Sequence, residues 1–517
     1  MPTDPERAIP GTVPAFLVSG GLAAVLLAGA VNAPLPGPVV AWGALALTAW
    51  CMALLCLSAA SADRRGLGLA DWRIGAWLLV WAALGSGLAS VTWDGTQNGI
   101  TAQIALGSVQ RALWLTAAGM TAWAAGYCTG PFRLLRDACS RRTAVLGQRY
   151  TAQVRSPLTP WKLYALGTAG RVALLATTGR LGYVGDPAAA VASATWYGQF
   201  LSLVTLFCPL AVACAALLAW REKVPGARVT VAVLFAAEIT AGAAAGGKQS
   251  FVVAVLAVLL PWTAARGRIP VAAAAAGIVV FLLVVIPFNK AYRNTVRGGT
   301  GPLAPAQALA AAPVILRGAV TSGPAQVPRS VAYLAQRMRE TGAPAIVMQR
   351  TPSQIPYASP VLLATGPAAA LIPRVVWPGK PVLATGYQFS EEYYGTGPGL
   401  YSSAAVTPLA DLYRHGGWVP AVAGMFLLGA AVRVLDDVMD ARRSPHAMLL
   451  VLLLFPGVVK GETDWATLIA GIPAMLVTWR VVVAFAFAPA RSTARTTASP
   501  GMAPGGLPCD LRLGGLG

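Results

Sequence analysis

The chain contains little charge, two histidines and seven scattered cysteines. Charged residues occupy only 11% of its 517 positions, less than half of the roughly 25% usual in soluble domains. Two histidines, His415 and His446, cannot form a histidine metal cluster. The cysteines form no framework, so disulfides and thiolate metal sites are not expected. No Walker A, HExxH or GxSxG motif and no dinucleotide-binding glycine fingerprint occurs, so the sequence lacks the common signatures of soluble enzymes.

Long apolar runs are abundant instead. Hydrophobic residues make up 56% of the chain, the mean hydropathy is +0.62, and the runs approach the roughly 20 residues that cross a bilayer. The sequence therefore predicts an all-α polytopic membrane protein with about 12 transmembrane helices. The predicted spans lie near residues 13–34, 38–60, 74–93, 109–128, 163–183, 197–220, 229–247, 250–265, 270–288, 416–435, 447–461 and 465–488.

These spans divide the chain into four parts. A membrane domain of nine spans occupies residues 1–288, a long extracytoplasmic loop lies between spans 9 and 10 at 289–415, and three further spans occupy 416–488. The tail 489–517 is rich in Pro, Gly, Ser and Thr and is predicted to be a disordered cytoplasmic segment.

The net charge of +20 follows the orientation of the spans. Basic residues concentrate in alternate short loops, and the positive-inside rule makes those loops cytoplasmic. We therefore expect a multi-pass protein of the cell membrane with both termini in the cytoplasm, in contact with anionic lipid and not with nucleic acid. Basic residues of the inner loops include Arg64, Arg65, Arg73, Arg133, Arg136, Arg141, Arg142, Arg149, Arg155, Lys162, Arg221, Lys223, Arg228, Arg266, Arg268, Arg442 and Arg443.

The long loop is cationic although it is predicted to lie outside. Long loops translocate regardless of charge, so this does not alter the topology. Within it, residues 327–340 place apolar side chains at helical spacing between arginines. This segment is predicted to be an amphipathic helix, lying either on the membrane surface or against the core of the loop itself.

Four segments resemble one family. They are "IPRVVWPGKP" at 372–381, "GYQFSEEYYG" at 386–395, "TPLADLYRHGGWVPAVAGMFLLG" at 407–429 and "AGGKQSFVVAVLAVLL" at 245–260. Together they resemble the oligosaccharide repeat-unit polymerases, the O-antigen polymerase (Wzy-like) family of the bacterial envelope. His415 departs from this pattern, because the family more usually has Asn there.

The resemblance implies an activity in polysaccharide biosynthesis. Such an enzyme polymerises polyprenyl-diphosphate-linked oligosaccharide repeat units at the outer face of the cytoplasmic membrane. It is a glycosyltransferase that needs no metal or cofactor, and a chain-length regulator is a candidate protein partner. The alternatives are a lipid-linked oligosaccharide flippase or other transporter, which twelve spans also suit, and a glycan ligase.

Roles for individual residues follow from this reaction. Fixed cations stabilise the growing charge of a diphosphate leaving group, and a carboxylate accepts the proton of the acceptor hydroxyl. The predicted catalytic residues are Asp411, as base, with Arg374 and Arg414. The predicted substrate-binding residues are Lys248, Arg293, Arg297, Lys380, Glu391, Tyr387, Tyr413 and Trp377.

Each assignment has a structural alternative. Arg374 could reach lipid headgroups, Lys248 could cap a helix, Asp411 could pair with Arg414, and Trp377 could belong to an interfacial aromatic belt. Other candidate bases are Glu391, Glu392, Glu462 and Asp464.

Two charges lie in the middle of predicted spans, where charge is costly. Arg171 and Glu238 are predicted to pair and fix helix packing, or to line a substrate cavity.

Overall fold

A computed structural model describes most of the chain, and nearly all of it is helical. The described residues are 38–61, 67–93, 104–179, 182, 184, 196–297, 303–321, 327–372, 376–377, 385–396, 404–442 and 444–490. The predicted span 13–34 and all but the first residues of the predicted tail 489–517 lie outside them. Each of the other predicted spans overlaps one or more helical segments.

The helices of the first half are α1 (Pro38–Ser61), α2 (Ile74–Ala82), α3 (Leu106–Thr129), α4 (Arg133–Arg149), α5 (Thr159–Thr178), α6 (Trp196–Thr205), α7 (Phe207–Trp220), α8 (Ala227–Ala245), α9 (Lys248–Arg266), α10 (Val271–Val280) and α11 (Ile286–Arg297). A π-helical segment, Ala83–Gly87, and a 3₁₀ turn, Leu88–Ser90, continue α2, and a second π-helical segment, Phe281–Val285, joins α10 to α11.

The helices of the second half are α12 (Pro305–Thr321), α13 (Val327–Met338), α14 (Gly342–Arg350), α15 (Leu362–Leu371), α16 (Thr385–Tyr394), α17 (Pro408–Arg414), α18 (Trp418–Val438), α19 (Pro445–Lys460) and α20 (Trp465–Ala486). Two short strands, β1 (Tyr150–Val154) and β2 (Phe487–Pro489), pair antiparallel and tie the end of α20 to the segment between α4 and α5.

Seven helical stretches of the described residues are long and apolar enough to cross a membrane. They are Val39–Ala60, Tyr197–Trp220, Ala227–Ala245, Lys248–Arg266, Val271–Val296, Trp418–Val438 and Trp465–Ala486. Apolar helices of 10–17 residues also occur at Ile74–Ser90, Ala306–Thr321 and Pro445–Lys460. The protein is therefore an all-α, membrane-embedded protein.

The core is built around two apolar helices. Helix α7 is buried along all but its last residue, and it packs against α5, α8 and α9. Helix α19 is buried along most of its length and packs against α2, α9 and α20. Apolar side chains all round these helices explain their central position, because such a helix has no face suited to water.

Two features differ from the sequence predictions. The helix predicted to end at residue 288 continues without a break to Arg297, so Arg293 and Arg297 lie on a continuation of the ninth predicted span and not in a separate loop. The basic segment after α3 is the helix α4. Pro287 lies at the start of the first segment, and no Pro or Gly follows it as far as Arg297. Charge alone does not end a helix, so both basic segments stay helical.

The predicted pair of Arg171 and Glu238 is confirmed. The Arg171 Nη1 and Nη2 atoms donate to Glu238 Oε2 and Oε1 at 2.9 and 2.5 Å, which joins α5 to α8. The bidentate geometry satisfies both carboxylate oxygens, which is the arrangement that a buried charge requires. Of the two predicted roles, the geometry supports the fixing of helix packing.

Helices α3 and α18 approach each other through glycine. A Cβ atom placed on Gly429 would overlap the carbonyl oxygen of Trp123, and one on Gly126 would overlap that of Phe426. Small residues allow such backbone contact between membrane helices. This contact holds α18 against α3, in the first half of the chain.

Replacement of Gly429 by Ala should force α3 and α18 apart. We expect Gly429→Ala to lower the free energy of unfolding by about 1–3 kcal/mol, the range for overpacking. The matched control is Gly471→Ala in α20, where a Cβ would meet nothing within 4 Å. The measurement is thermal unfolding in detergent followed by tryptophan fluorescence. Equal midpoints for the two variants would contradict the proposed backbone contact.

Removal of one partner of the Arg171–Glu238 pair should cost more than removal of both. Glu238→Leu leaves a guanidinium without its carboxylate, and we expect a loss of roughly 3 kcal/mol. The double variant Arg171→Leu/Glu238→Leu should recover most of that loss, because no unpaired charge remains. Chemical unfolding of the single and double variants measures the difference, and a double variant no more stable than Glu238→Leu would rule out this pairing energy.

Candidate active site

The end of the predicted long loop forms the short helix α17, which carries the carboxylate of Asp411. Thr407 caps α17 by accepting a hydrogen bond from Ala410 N at 3.2 Å, and Pro408 occupies the first turn. Asp411, in the same turn, is 3% exposed. Its Oδ2 accepts a hydrogen bond from Trp465 N at 2.8 Å. The loop is thereby attached to the first residue of α20.

The second oxygen of Asp411 faces a cation. Asp411 Oδ1 lies 2.7 Å from Arg414 Nε, although neither atom makes a well-directed hydrogen bond within the described residues. His415 Nδ1 lies 2.7 Å from the Asp411 carbonyl oxygen, so the histidine closes the end of α17. The alternative in which Asp411 pairs with Arg414 is therefore what the structure shows. Its role as a base stays a prediction.

Two glycines turn the chain from α17 into α18. Gly416 and Gly417 have φ angles of +153° and +78°, and Gly417 combines its positive φ with a ψ of −141°, a conformation open only to glycine. A Cβ on Gly417 would lie 3.1 Å from the Tyr357 hydroxyl. The "HGG" sequence thus sets the angle between the loop and the next span.

A second set of predicted residues lies at the start of α9. The Lys248 Nζ atom lies 4.2 Å from the centre of the Tyr333 ring, and Lys290 Nζ lies 5.3 Å from it. Three more cations, Arg293, Arg337 and Lys460, are close enough to act electrostatically on Lys248. We call these five basic residues, Lys248, Lys290, Arg293, Arg337 and Lys460, the cation cluster.

The cation cluster has the properties of an anion site. Lys248 is the first residue of a 19-residue helix, and a helix N-terminus presents free N–H groups and a positive dipole end. Its Nζ atom is buried without a hydrogen-bond partner among the described residues. Glu462 is the acid that acts on Lys248, and it pairs with Lys460 at 2.6 Å. Like charges gathered in this way repel unless an anion joins them.

The structure shows a further carboxyl group that the sequence analysis missed as a candidate. Glu340, in the turn after α13, lines a pocket with Trp81, Thr407 and Gly461. Burial raises the pKa of Glu340 well above its usual range, the hydrogen bond from Trp81 opposes the shift, and nearby Glu462 adds to it. One sequence signal was present: an acid just after a helix C-terminus is disfavoured by the helix dipole.

The cation cluster and Asp411 are joined by one short connector. Residues 460–465 run from Lys460, in the cluster, to Trp465, whose N–H bonds Asp411. Between them, a Cβ on Gly461 would lie 3.9 Å from Glu340 Oε1. Three groups therefore surround this connector: the cations, the half-buried Glu340 and the Asp411 turn.

Tyrosines pack beside the Asp411 turn. Tyr413 is buried and its ring meets that of Tyr357 edge-on, with 6.5 Å between the ring centres. The Tyr393 hydroxyl lies 2.9 Å from Thr351 Oγ1. Burial raises the pKa of both Tyr413 and Tyr393. Both phenols therefore stay neutral and can donate hydrogen bonds.

The remaining predicted residues are more scattered. On α16, Tyr387 is half-buried and Glu391 is exposed, and Trp377 is 41% exposed. Arg297 ends α11. Arg374 and Lys380 lie outside the described residues. The structure thus brings Lys248 and Arg293 together, and separately Asp411, Arg414 and Tyr413.

Comparison with known proteins gives one match. A family model described as a domain of unknown function, DUF8712, matches residues 186–441, a little under half of the chain. No curated protein and no solved structure matches the chain. The matched region contains Lys248, Glu340 and Asp411, whereas the connector 460–465 lies beyond it.

Substitutions at Asp411 should distinguish the effect of its hydrogen bond from Trp465 N from that of its ion pair with Arg414. Asp411→Asn keeps an oxygen that can accept from Trp465 N but loses the ion pair, whereas Asp411→Ala loses both. We expect Asp411→Ala to unfold more easily than Asp411→Asn by about 1–3 kcal/mol, the cost of a buried unsatisfied donor. Thermal unfolding measures this order. Asp137→Asn, in an exposed ion pair on α4, is the control, and equal stability of the two Asp411 variants would contradict the attachment.

Proposed function

We propose that this protein polymerises lipid-linked oligosaccharide repeat units. The donor is a growing glycan on a polyprenyl diphosphate, the acceptor is the sugar of a second such lipid, and the reaction needs no metal. The observation that carries the proposal is the cation cluster: Lys248 begins a candidate membrane helix, Lys290 lies near the same Tyr333 ring as Lys248, and three further basic side chains act electrostatically on Lys248. A diphosphate headgroup at the membrane surface has the charge and position to occupy it.

The topology belongs to the same proposal. Twelve spans with both termini in the cytoplasm place the segment 289–415 outside, at the outer face of the cell membrane. The contacts of Lys248 with Tyr333 and its electrostatic coupling to Lys460 support one element of this arrangement. They mean that the start of α9, the long segment and the end of α19 share one end of the helical bundle.

The chemistry follows from the placement of charge. During glycosyl transfer the bond from the anomeric carbon to the diphosphate breaks, and the departing oxygen gains negative charge. Cations already fixed in place stabilise that charge without reorganisation. Because Lys248 has no hydrogen-bond partner among the residues described, its ammonium group is available to the diphosphate. In the proposal, Arg374 and Lys380, further along the long segment, also stabilise the charge of the diphosphate.

Removal of two cations from the cluster should abolish polymerisation. We expect Lys248→Ala/Arg293→Ala to lower the rate of polymer formation at least 100-fold, since loss of one such charge-stabilising group costs about 10²–10³ in rate. The assay uses purified protein in lipid nanodiscs with a lipid-linked repeat unit, and polymer length is read on gels. The matched control is Arg141→Ala/Arg142→Ala, which removes two exposed arginines of α4.

Deletion of the gene distinguishes the competing functions. Loss of a polymerase leaves single repeat units on the carrier lipid at the outer face and removes long polymer. Loss of a flippase traps the units on the inner leaflet, and loss of a ligase leaves long polymer on the carrier lipid. Either of the last two results, or normal polymer from the Lys248→Ala/Arg293→Ala variant, would contradict the proposal.

A further inference from the structure

The pocket beside the connector has one carboxyl group, Glu340, in a wall that is mostly apolar. Its lining comes from α2 and the π-helical segment, α3, α14, α17, α18, α19 and α20. Leu78, Met120, Met425 and Leu428 are among the apolar side chains that form it. Thr407, at the start of the Asp411 turn, and Gly461, in the connector, also line the pocket with Glu340. A half-buried carboxyl group in such a wall requires a reason, because withdrawal of charge from water is costly.

Glu340 is held in position from both sides. Arg339 Nε donates to the Ala89 carbonyl at 3.0 Å, and the Arg339 guanidinium lies over the Trp93 ring, 5.2 Å from its centre. On the other side, Thr341 Oγ1 donates to the Ser86 carbonyl at 2.8 Å. The turn therefore fits against the π-helical segment and the 3₁₀ turn after α2. Single π-helical turns within helices frequently occur at functional sites.

Hydrogen bonds restrain both the backbone and the carboxylate of Glu340. The Glu340 backbone N–H donates to Gly85 O at 3.2 Å, and Trp81 Nε1 donates to Glu340 Oε1. Ser86 also hydrogen-bonds the carboxylate, and Lys460 and Glu462 act on it electrostatically. These contacts hold the carboxylate in the pocket wall, within electrostatic reach of Lys460 of the cation cluster.

Comparison with the other carboxylates sets Glu340 apart. Asp411 uses Oδ2 for Trp465 N, and its Oδ1 faces Arg414 at 2.7 Å, so both oxygens already have a partner within the fold. Glu391 is exposed, where water competes for it. Glu340 is half-buried, lines a pocket and has Lys460 as a neighbouring cation, and burial raises its pKa, which is the direction that suits a carboxylate to general base catalysis.

We propose that Glu340 is the proton acceptor for the acceptor-sugar hydroxyl. This inference rests on the proposed function. The hydroxyl oxygen bonds to the anomeric carbon of the donor, the bond from that carbon to the diphosphate oxygen breaks, and the polyprenyl diphosphate leaves with the electron pair. The hydroxyl proton passes to the carboxylate of Glu340. Lys460 acts electrostatically on both Glu340 and Lys248. The proposed proton acceptor and the proposed diphosphate site therefore share a neighbouring cation.

The test compares Glu340→Gln with wild-type protein in nanodiscs. Two readouts are used: the dissociation constant for a polyprenyl-diphosphate-linked repeat unit and the rate of polymer formation across pH. Gln keeps an oxygen for Trp81, so folding should persist. We expect unchanged lipid binding and a polymerisation rate at least 100-fold lower, from the usual 10²–10⁴ contribution of general base catalysis. Asp137→Asn controls for removal of a carboxylate elsewhere.

The pH profile separates a base from a structural group. Because the pKa of Glu340 is raised by burial, wild-type activity should increase with pH above the usual titration range of a glutamate. Glu340→Asp should keep a pH-dependent increase at a lower rate, whereas Glu340→Gln should have none. A purely structural role would lower the rate without removing the pH-dependent increase.

Each contrary result has a distinct meaning. Polymerisation by Glu340→Gln within threefold of wild type would overturn the role of Glu340, and loss of the pH-dependent increase in Asp411→Asn but not in Glu340→Gln would assign that role to Asp411. Wild-type protein that neither binds the lipid-linked unit nor polymerises it would overturn the proposed function and the role of Glu340 together.

Discussion

The hydrogen bond from Trp465 N to Asp411 Oδ2 is the constraint on which the candidate site depends. It joins the end of the long segment to the start of α20 across 54 positions of sequence. The donor is one of the N–H groups that a helix leaves unpaired at its first turn, so a buried carboxylate is well suited to satisfy it. Asp464 satisfies another, as Asp464 Oδ1 accepts from Thr467 N at 2.9 Å. Two carboxylates thus fix the connector between α19 and α20.

The fixed connector places a cation, Lys460, and the proposed base, Glu340, near each other. It positions Lys460 within the cation cluster, and it passes Glu340 at Gly461. A reaction that forms an anionic leaving group and releases a proton needs a cation and a base a short distance apart, but not paired with each other. Lys460 is paired with Glu462 instead, which leaves Glu340 bonded to the neutral donors Trp81 and Ser86.

The sequence predicted the membrane class and the helices far better than the site. Apolar length is a local property, so the helices could be located from residue order alone, and the pairing of Arg171 with Glu238 followed from the cost of isolated charge in a span. The proximity of Lys248 to Tyr333 and Lys460 could not be predicted, because it depends on how distant helices pack. Glu340 was overlooked for the same reason: in sequence it ends a predicted basic, amphipathic helix, and it is partly buried because the turn after α13 packs against the π-helical segment that continues α2.

The most direct test of the account is a cryo-electron microscopy structure of the protein with a polyprenyl diphosphate in nanodiscs. The account predicts density for the two phosphates within hydrogen-bond distance of Lys248 Nζ, at the N-terminus of α9, with Arg293, Arg337 and Lys460 around it. Density for the diphosphate at another place on the protein, with the cation cluster unchanged and without phosphate, would contradict the central claim.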